Sequence, residues 1–301
     1  ASQKLQMQII KDEPGALQRK LGDARRTSII YDYEEFSIED MIAEEDVVIT
    51  ISHTGYIKRS PVSGYRRQSR GGRGVTGAAT KEDDFVEHMF IASTHNYILF
   101  FTNKGRCYWL KVFEIPEASR LARGKSIVNL IQKQPDETIA AFVIVQEFDE
   151  KMFVAMVTDQ GQIKKTSLAE FSNPRRTGIA SITLQKNDLV SDVKLTDGTQ
   201  DVVIGTKNGL AIRFRENEAR QMGRTAGGVR AIKLGKGDKV VGAVAIKRTK
   251  TSILCATENG YGKRSELDEY RVSHRGGKGV ITVRVTDKTG KMVAIKEVNE
   301  S

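Results

Sequence analysis

Apolar residues occur along most of this chain in short runs, at every second position. The alternation is cleanest directly after Gly209. One side of that run carries Leu210, Ile212 and Phe214, and the other carries Ala211, Arg213 and Arg215. Alternate residues of a β-strand point to opposite faces of a sheet. The pattern therefore predicts strands with one face in a core and the other face basic and solvated.

A phrase of about 50 residues recurs five times, and two glycines mark each copy. The first glycines follow a polar turn and are Gly55, Gly105, Gly161, Gly209 and Gly260. The second glycines follow 17 or 19 residues later and are Gly74, Gly124, Gly178, Gly228 and Gly279. A fixed period of this length is typical of repeat architectures.

The first glycine of each repeat lies in a predicted hairpin turn. Asn208-Gly209 and Asn259-Gly260 favour the positive φ angles of a type I′ turn. With strands on both sides of the turn, each repeat is expected to form about four strands. A ring of such units leaves no long sheet edge open. The predicted fold class is all-β, a propeller-like ring of about five to six four-stranded blades.

The start of the chain lies outside the repeats. Residues 1–42 are expected to form a helical tail and linker, and residues 43–301 the ring. The helix is predicted from about Lys4 to Leu21, with Leu17 on the face of Leu21 and an interruption at Pro14-Gly15.

The end of the chain breaks the repeat. Residues 292–298 (MVAIKEV) match the strand that opens the fifth repeat (VVGAVAIK), but no turn glycine follows. Two interpretations stay open. A sixth unit has begun and is not finished, or this strand closes the ring beside the first repeat.

Net charge narrows the class of partner. The chain has 48 Lys and Arg against 38 Asp and Glu, a formal charge of +10, which favours an anionic partner. No apolar run approaches the roughly 18 residues that span a bilayer, and the first residues have no signal-peptide core. A soluble nucleic-acid-binding protein with no membrane partner is expected.

No pattern of catalytic or metal-binding residues stands out. Cys107 and Cys255 lie far apart without C-x-x-C spacing, so both are expected to be buried hydrophobes in a reducing compartment. The histidines His53, His88, His95 and His274 form no metal-ligand cluster, and no Ser-His-Asp or paired-carboxylate pattern is present. The sequence favours binding over catalysis.

Basic residues recur at two positions of the repeat. The fourth residue after the first glycine is Arg59, Trp109, Lys165, Arg213 and Arg264. The fourth residue before the second glycine is Arg70, Arg120, Pro174, Arg224 and Arg275, and Arg175 and Arg176 follow Pro174. Equivalent positions of a ring lie on one rim, so the second register predicts a continuous basic track. Such a track suits phosphate contacts that read no bases.

The most basic loop is YRRQSRGGRG, from Tyr65 to Gly74, which contains four arginines and no acid. Its glycines allow backbone N–H groups to approach a phosphate closely. It lacks the spacing of a nucleotide-binding P-loop.

At this loop the sequence resembles the DNA gyrase A-subunit family. The wrapping domain of that family carries a box of Gln, two basic residues, Gly-Gly, a basic residue and Gly. The matching residues are Gln68, Ser69, Arg70, Gly71, Gly72, Arg73 and Gly74, with Ser69 replacing one basic residue. The fifth repeat carries a partial copy, SHRGGKG, so the first copy is taken as the functional box. Residues 22–29, GDARRTSI, are similar to the family's link between its coiled-coil arm and the wrapping domain.

The resemblance implies a β-pinwheel, which is a hairpin-invaded propeller. It would bind, bend and wrap duplex DNA without sequence specificity, and so enable gyrase to introduce negative supercoils. Beyond the box, the expected DNA-binding residues are Arg59, Arg66, Arg67, Arg120, Arg123, Lys165, Arg175, Arg176, Arg213, Arg224, Arg264, Arg275 and Lys278.

The same resemblance implies the partners. They are double-stranded DNA, the gyrase A breakage-reunion domain and the gyrase B subunit, in an A2B2 enzyme of the bacterial cytoplasm near the nucleoid. The nucleophilic tyrosine, the metal-binding carboxylates and the ATPase belong to other parts of that enzyme. No catalytic residue, metal or cofactor is therefore expected in this segment, and ATP and Mg²⁺ belong to the holoenzyme.

Two alternatives stay open. The related domain of topoisomerase IV has fewer or degenerate blades and lacks the intact box, so residues 68–74 argue against it. A protein-interaction propeller would present aromatic or apolar anchors on one face. Tyr108 and Trp109 are the candidate anchors, although strand aromatics more often belong to a core.

Overall fold

A computed structural model describes residues 2–23, 27, 38–65, 84–173, 175, 177–247 and 251–298. The chain divides into two compact units, Ala1–Met41 and Ile42–Ser301. The first unit contains helix α1 (Gln3–Leu21), which ends where the Gly22 N–H donates to the Gln18 carbonyl oxygen. The predicted interruption at Pro14-Gly15 is wrong, because α1 continues through Pro14. A proline removes one hydrogen bond, and the helix-forming residues on both sides maintain the rest.

The second unit is built from short strands. In chain order they are β1 (Asp46–Ser52), β2 (Tyr56–Pro61), β3 (Val86–Ser93), β4 (Tyr97–Thr102), β5 (Arg106–Lys111), β6 (Lys125–Ser126), β7 (Ile139–Val145), β8 (Phe153–Thr158), β9 (Gln162–Ser167), β10 (Ile179–Ala180), β11 (Val190–Thr196), β12 (Asp201–Thr206), β13 (Leu210–Arg215), β14 (Val229–Arg230), β15 (Val240–Ile246), β16 (Ser252–Thr257), β17 (Gly262–Glu266), β18 (Val280–Ile281) and β19 (Met292–Val298). Single 3-10 turns are Ile38–Met41 in the first unit and Val62–Gly64, Val112–Glu114, Ile127–Asn129, Leu168–Phe171, Glu216–Glu218 and Leu267–Glu269 in the second.

These strands form five antiparallel sheets, which are the blades of a propeller. The described strand orders are β3-β1-β2-β6, β7-β4-β5-β10, β11-β8-β9-β14, β15-β12-β13-β18 and β19-β16-β17. The first strand in each order contributes to the lining of one shared central cavity of about 340 Å³, so it is the inner strand. The all-β, propeller-like fold class is confirmed.

Each of repeats two to five contributes to two blades. It gives three strands to its own blade, and its second glycine then leads into a two-residue outer strand of the preceding blade. The outer strands β6, β10, β14 and β18 follow Gly124, Gly178, Gly228 and Gly279 in this way. An outer strand supplied by the next repeat is the invading element that the β-pinwheel expectation required.

The last strand does not begin a sixth unit. Residues of β19 pair with β16 from Ser252↔Val298 to Thr257↔Met292, so β19 is the inner strand of blade five. The strand VVGAVAIK has the same place in blade four, where β15 pairs with β12. The sequence match between the two strands was real, because both are inner strands of a blade.

The core lies between the blades. Four apolar clusters of the described residues join blades one and two, two and three, three and four, and four and five. Ile212 and Phe214 face blade three, whereas Ala211 on the opposite side of β13 faces blade five and is fully buried. The expectation that this opposite face is solvated is wrong at Ala211 and Arg213, because blade five packs against this face of blade four. It holds at Arg215, which is exposed at the end of the strand.

The hairpin turns differ from the predicted type. Among the described residues positive φ is confined to glycines and Asn187, so Asn208 and Asn259 do not form type I′ turns. The Gly209 N–H instead donates to the Thr206 carbonyl oxygen at 2.9 Å, and Gly209 has a φ of +80°. This is a three-residue loop, a type I turn closed by a left-handed glycine.

Both cysteines lie in the inter-blade cores. Cys107 and Cys255 are each 1% exposed, in the clusters between blades two and three and between blades four and five. Burial raises the pKa of the Cys107 thiol, which keeps it protonated and unreactive.

Candidate nucleic-acid interface

In repeats two to five, the second glycine closes a loop at the outer edge of a blade. Before this loop, the chain of one repeat forms a parallel bridge with β2, β9 or β13 of the preceding blade. The bridges are Arg59↔Glu117, Lys165↔Gln221 and Arg213↔Val272. The chain then turns back into the outer strand. We call residues 118–124, 172–178, 222–228 and 273–279 the rim loops, of which 174 and 176 lie outside the described part. They lie at the circumference because they precede the outermost strands.

The closing glycines allow this reversal. Gly124 has a φ of +87°, and a Cβ added there would lie 2.5 Å from the Ile57 carbonyl oxygen. Gly279 has a φ of +77°, and its Cβ would lie 2.5 Å from the Ala211 carbonyl oxygen. Side-chain-bearing residues rarely adopt this conformation and none tolerates such a contact. The repeated second glycine is therefore a backbone requirement of the rim loop.

Every described rim loop carries exposed or half-buried basic side chains. Arg123, Arg175 and Lys278 are exposed, and Arg120, Arg224 and Arg275 are half-buried. The structure thus places the second-glycine register on the loops of successive blades.

Two of these arginines are held in place by the preceding blade. The Arg224 backbone N–H donates to the Glu170 carboxylate at 3.0 Å, and its guanidinium to the Glu170 carbonyl oxygen at 3.1 Å. The Arg275 N–H likewise donates to the Glu218 carboxylate at 3.0 Å, and its Nε to the Glu218 carbonyl oxygen at 2.9 Å. Glu170 and Glu218 lie on the 3-10 turns after β9 and β13, so equivalent acids fix both loops.

A polar depression of about 560 Å³ separates two neighbouring rim loops. Its lining includes Arg106, Arg175, Arg224 and one acid, Glu170. Arg106 donates to the Thr177 and Gly178 carbonyl oxygens at 2.5 and 3.1 Å. Sequence reasoning missed Arg106, because it follows the first glycine directly and belongs to neither register. The depression has the size and net positive charge for a phosphate group.

The first-glycine register has a different role for three of its members. Arg213 is 10% exposed, and its Nε and a terminal nitrogen donate to the Asp201 carboxylate at 2.9 and 2.7 Å. Its other terminal nitrogen donates to the Leu267 carbonyl oxygen of blade five at 2.9 Å. Lys165 is 7% exposed, and its Nζ lies 3.7 Å from the buried Glu216 carboxylate.

Arg59 completes this group. Its Nε donates to the Ile115 carbonyl oxygen at 2.8 Å, and its guanidinium lies 3.4 Å from the Glu117 carboxylate. Arg59, Lys165 and Arg213 therefore link neighbouring blades and repeats, instead of presenting free charge to DNA as expected. Their charges are matched inside the protein, which is the requirement for burial.

The remaining predicted residues divide into two groups. Arg264 is exposed on β17 of blade five. Arg66, Arg67, the box from Gln68 to Gly74, and Arg176 lie outside the described residues.

The candidate aromatic anchors are not a surface patch. Tyr108 is 2% exposed and its hydroxyl donates to the Glu137 carboxylate at 2.9 Å. Trp109 is half-buried, with its ring centroid 5.0 Å from that of Tyr97.

Within the described ranges, no group of three or more His, Cys, Asp or Glu side chains could hold a metal ion. No helix in the described part of the chain is long and apolar enough to cross a membrane.

The strand order and the arginine-bearing rim loops define the class of protein: a hairpin-invaded β-propeller with a basic circumference. A family described as "DNA gyrase C-terminal domain, beta-propeller" matches residues 46–93, 96–146, 153–197, 200–247 and 251–299. These five segments are the five repeats, and the chain belongs to this family.

Relatives and solved structures agree with this assignment. The DNA gyrase A subunit of Salmonella typhimurium is 44% identical over 98% of this chain and 33% of its own length. That of Staphylococcus epidermidis is 44% identical over 99% of this chain and 34% of its own length. The chain thus spans about a third of the curated relatives it matches.

Two solved structures have the same fold. The C-terminal domain of a DNA topoisomerase IV gives a TM-score of 0.72 at 31% identity, covering 86% of this chain and 79% of that one. A DNA gyrase A C-terminal domain gives 0.70 at 25% identity, covering 85% of this chain and 84% of that one.

Proposed function

We propose that this chain binds duplex DNA along its rim loops and bends it around the circumference, with little sequence preference. The observation that carries the proposal is the recurrence of basic side chains at equivalent places in successive rim loops. Arginine and lysine neutralise phosphates and release counterions whatever the base sequence. Bending 20–30 bp by 40–90° costs about 1–6 kcal/mol, so a bent path requires contacts on several blades. Repetition of the loop supplies them.

A charge-matched comparison tests the proposal. One variant replaces the exposed rim residues Arg123, Arg175 and Lys278 with alanine. The control replaces three exposed lysines of the loops between outer and inner strands, which are Lys186, Lys236 and Lys288. Both lose three positive charges, so they differ only in where the charge was.

We expect the rim variant to bind a 40-bp duplex more weakly than the control in fluorescence anisotropy. The slope of log K against log[salt] should fall in magnitude by about 2.7 for three lost contacts, at roughly 0.9 per phosphate. Equal slopes for the two variants would refute a rim-centred interface. Strong dependence on base sequence in the parent would refute the nonspecific mode.

Membership of this family supports a proposal for the wider role. We propose that the chain serves within a gyrase A subunit, beside the breakage-reunion domain and the gyrase B subunit of an A2B2 bacterial enzyme. There it would wrap the duplex that ATP-driven strand passage transports, so that negative supercoils result. The chain itself would contribute binding and curvature, and the chemistry and the ATP and Mg²⁺ sites would lie elsewhere in the enzyme.

A further inference from the structure

Two lysines are buried beneath rim loops. They occupy the third position after the first glycine, where the five repeats carry Lys58, Tyr108, Lys164, Ile212 and Lys263. Lys58 is 1% exposed and Lys164 is fully buried. Burial lowers the pKa of both ammonium groups, that of Lys164 to about 8. A charge held at this cost needs compensating hydrogen bonds.

Those bonds all go to backbone carbonyls. The Lys58 Nζ donates to the carbonyl oxygens of Ser119 at 3.2 Å, Arg120 at 2.5 Å and Ala122 at 2.8 Å. These three residues belong to one rim loop, and they use all three donors of the ammonium. The Lys164 Nζ donates to the Ser181 carbonyl oxygen at 2.6 Å and to that of Arg224 in another rim loop.

Carbonyls that point inward turn the amides outward. In a trans peptide the C=O and the following N–H point in opposite directions. The carbonyls of Ser119, Arg120 and Ala122 converge on Lys58, so the N–H groups of Arg120, Leu121 and Arg123 point away from it. The Arg224 carbonyl turns the Thr225 N–H outward in the same way. Main-chain N–H groups that face away from the lysine are donors that an anion on the outer side of the loop can accept.

The fold does not require a lysine at this position. In repeat two the Tyr108 ring packs against a rim loop so closely that a Cβ on Gly178 would lie 2.6 Å from a ring carbon. In repeat four Ile212 is 1% exposed and lies beside Gly277. Side chains without an ammonium group thus occupy this position in two of the five repeats.

We propose that Lys58 and Lys164 are positioning residues, whose ammonium groups gather the carbonyls of a rim loop and so aim its amides and arginines at a phosphate. The ligand class is a phosphate or phosphodiester anion held by main-chain N–H groups. The claim that this phosphate belongs to DNA rests on the proposed function. The claim that the lysines position the loop amides for a phosphate does not.

Inorganic phosphate is a probe that separates the two. The amide resonances of Arg120, Leu121, Arg123 and Thr225 would be followed by ¹⁵N–¹H NMR of the full chain as phosphate is added. We expect these resonances to shift in the parent. In Lys58→Met, the apparent phosphate affinity read from Arg120, Leu121 and Arg123 should fall about 2- to 10-fold. In Lys164→Met, the affinity read from Thr225 should fall by the same factor. That range corresponds to one ordinary hydrogen bond.

The control is Lys263→Met. Lys263 occupies the same repeat position on β17, but its side chain is 53% exposed and its Nζ lies 3.7 Å from the Glu269 carboxylate. This variant loses the same charge and should keep all the phosphate-induced shifts. If Lys58→Met does not fold, Lys58→Tyr reproduces the natural residue of repeat two and is measured instead.

Two outcomes would overturn the proposal: no phosphate-induced shift at these amides in the parent, or shifts unchanged in both buried-lysine variants. Duplex binding is measured on the same samples. If the amides respond to phosphate through the lysines but the parent does not bind duplex DNA, the proposed function fails and the positioning role stands.

Discussion

At the scale of single residues, the closing glycine of a rim loop is the most constrained position. We expect Gly124→Ala to destabilise the ring by about 2 kcal/mol or more, because it combines a left-handed φ with the contact to the Ile57 carbonyl oxygen. For a unit of this size that should lower the melting temperature by roughly 4 °C or more in a thermal denaturation scan.

Gly235→Ala is the matched control for that measurement. Gly235 has no heavy atom within 4 Å of an added Cβ, and its φ is not in the left-handed region. Alanine there should be neutral or slightly stabilising, since it restricts the unfolded chain. Similar losses for both variants would show that the rim loop accommodates a side chain, contrary to the geometry.

At the scale of strands and blades, the buried Arg213–Asp201 pair is a structural link. Arg213→Met should cost about 3–5 kcal/mol of unfolding free energy, because it removes the guanidinium charge and both of its hydrogen bonds from the Asp201 carboxylate, which is 1% exposed. The folded fraction should keep the salt dependence of duplex binding unchanged, because this guanidinium is not free to reach a phosphate.

Arg215 provides the comparison on the same strand. Its side chain is exposed, so Arg215→Met should change stability by less than about 0.5 kcal/mol. Urea denaturation and the salt slope of DNA binding, measured on both variants, check this pair of expectations. A reduced slope for Arg213→Met at unchanged stability would return Arg213 to the DNA interface.

The packing of blades also explains why the alternating pattern wrongly predicted that Arg213 is solvated. Arg213 lies at a polar position of an alternating strand, and in a sheet with one wet face it would be exposed. Blades stack on both sides, so the same position is enclosed and its charge is paired with Asp201. A strand pattern gives the face of a residue but not what covers that face.

At the scale of the whole molecule, binding and wrapping should separate. The box from Gln68 to Gly74 lies outside the described residues, and its role is inferred from the family resemblance. Replacing residues 68–74 with alanines should reduce duplex affinity only modestly, because the rim loops of the other repeats still supply phosphate contacts. It should abolish the linking-number change on closed circular DNA, since a wrap needs its terminal contact to offset the elastic cost.

The control for the box is the rim triple variant at Arg123, Arg175 and Lys278. This variant should bind duplex DNA more weakly, but each bound molecule should keep most of the linking-number change of the parent. In a reconstituted holoenzyme the box variant should lose negative supercoiling and keep ATP-dependent relaxation. If the alanine-substituted chain constrains supercoils like the parent, the box has no special part in wrapping.

The sequence by itself determined the repeat, its period, the β class and the two glycines, because each depends on local backbone requirements. Positive φ at Gly209 and Gly260 is a property of one residue and its neighbours, and the Asn-Gly dipeptides predict it. The second-glycine register likewise placed Arg120, Arg224 and Arg275 on equivalent loops, since the loop geometry repeats with the sequence.

Only the tertiary structure decided which strand belongs to which blade and which charge is free. The outer strands β6, β10, β14 and β18 pair with the preceding repeat, and β19 is the inner strand of blade five; both pairings depend on hydrogen bonds between distant segments. Both Lys58 and Arg123 are basic, yet Lys58 on β2 is enclosed by carbonyl oxygens, whereas Arg123 in a rim loop is exposed. Burial is set by what packs against a residue, and that partner lies about 60 positions away in the chain for Lys58.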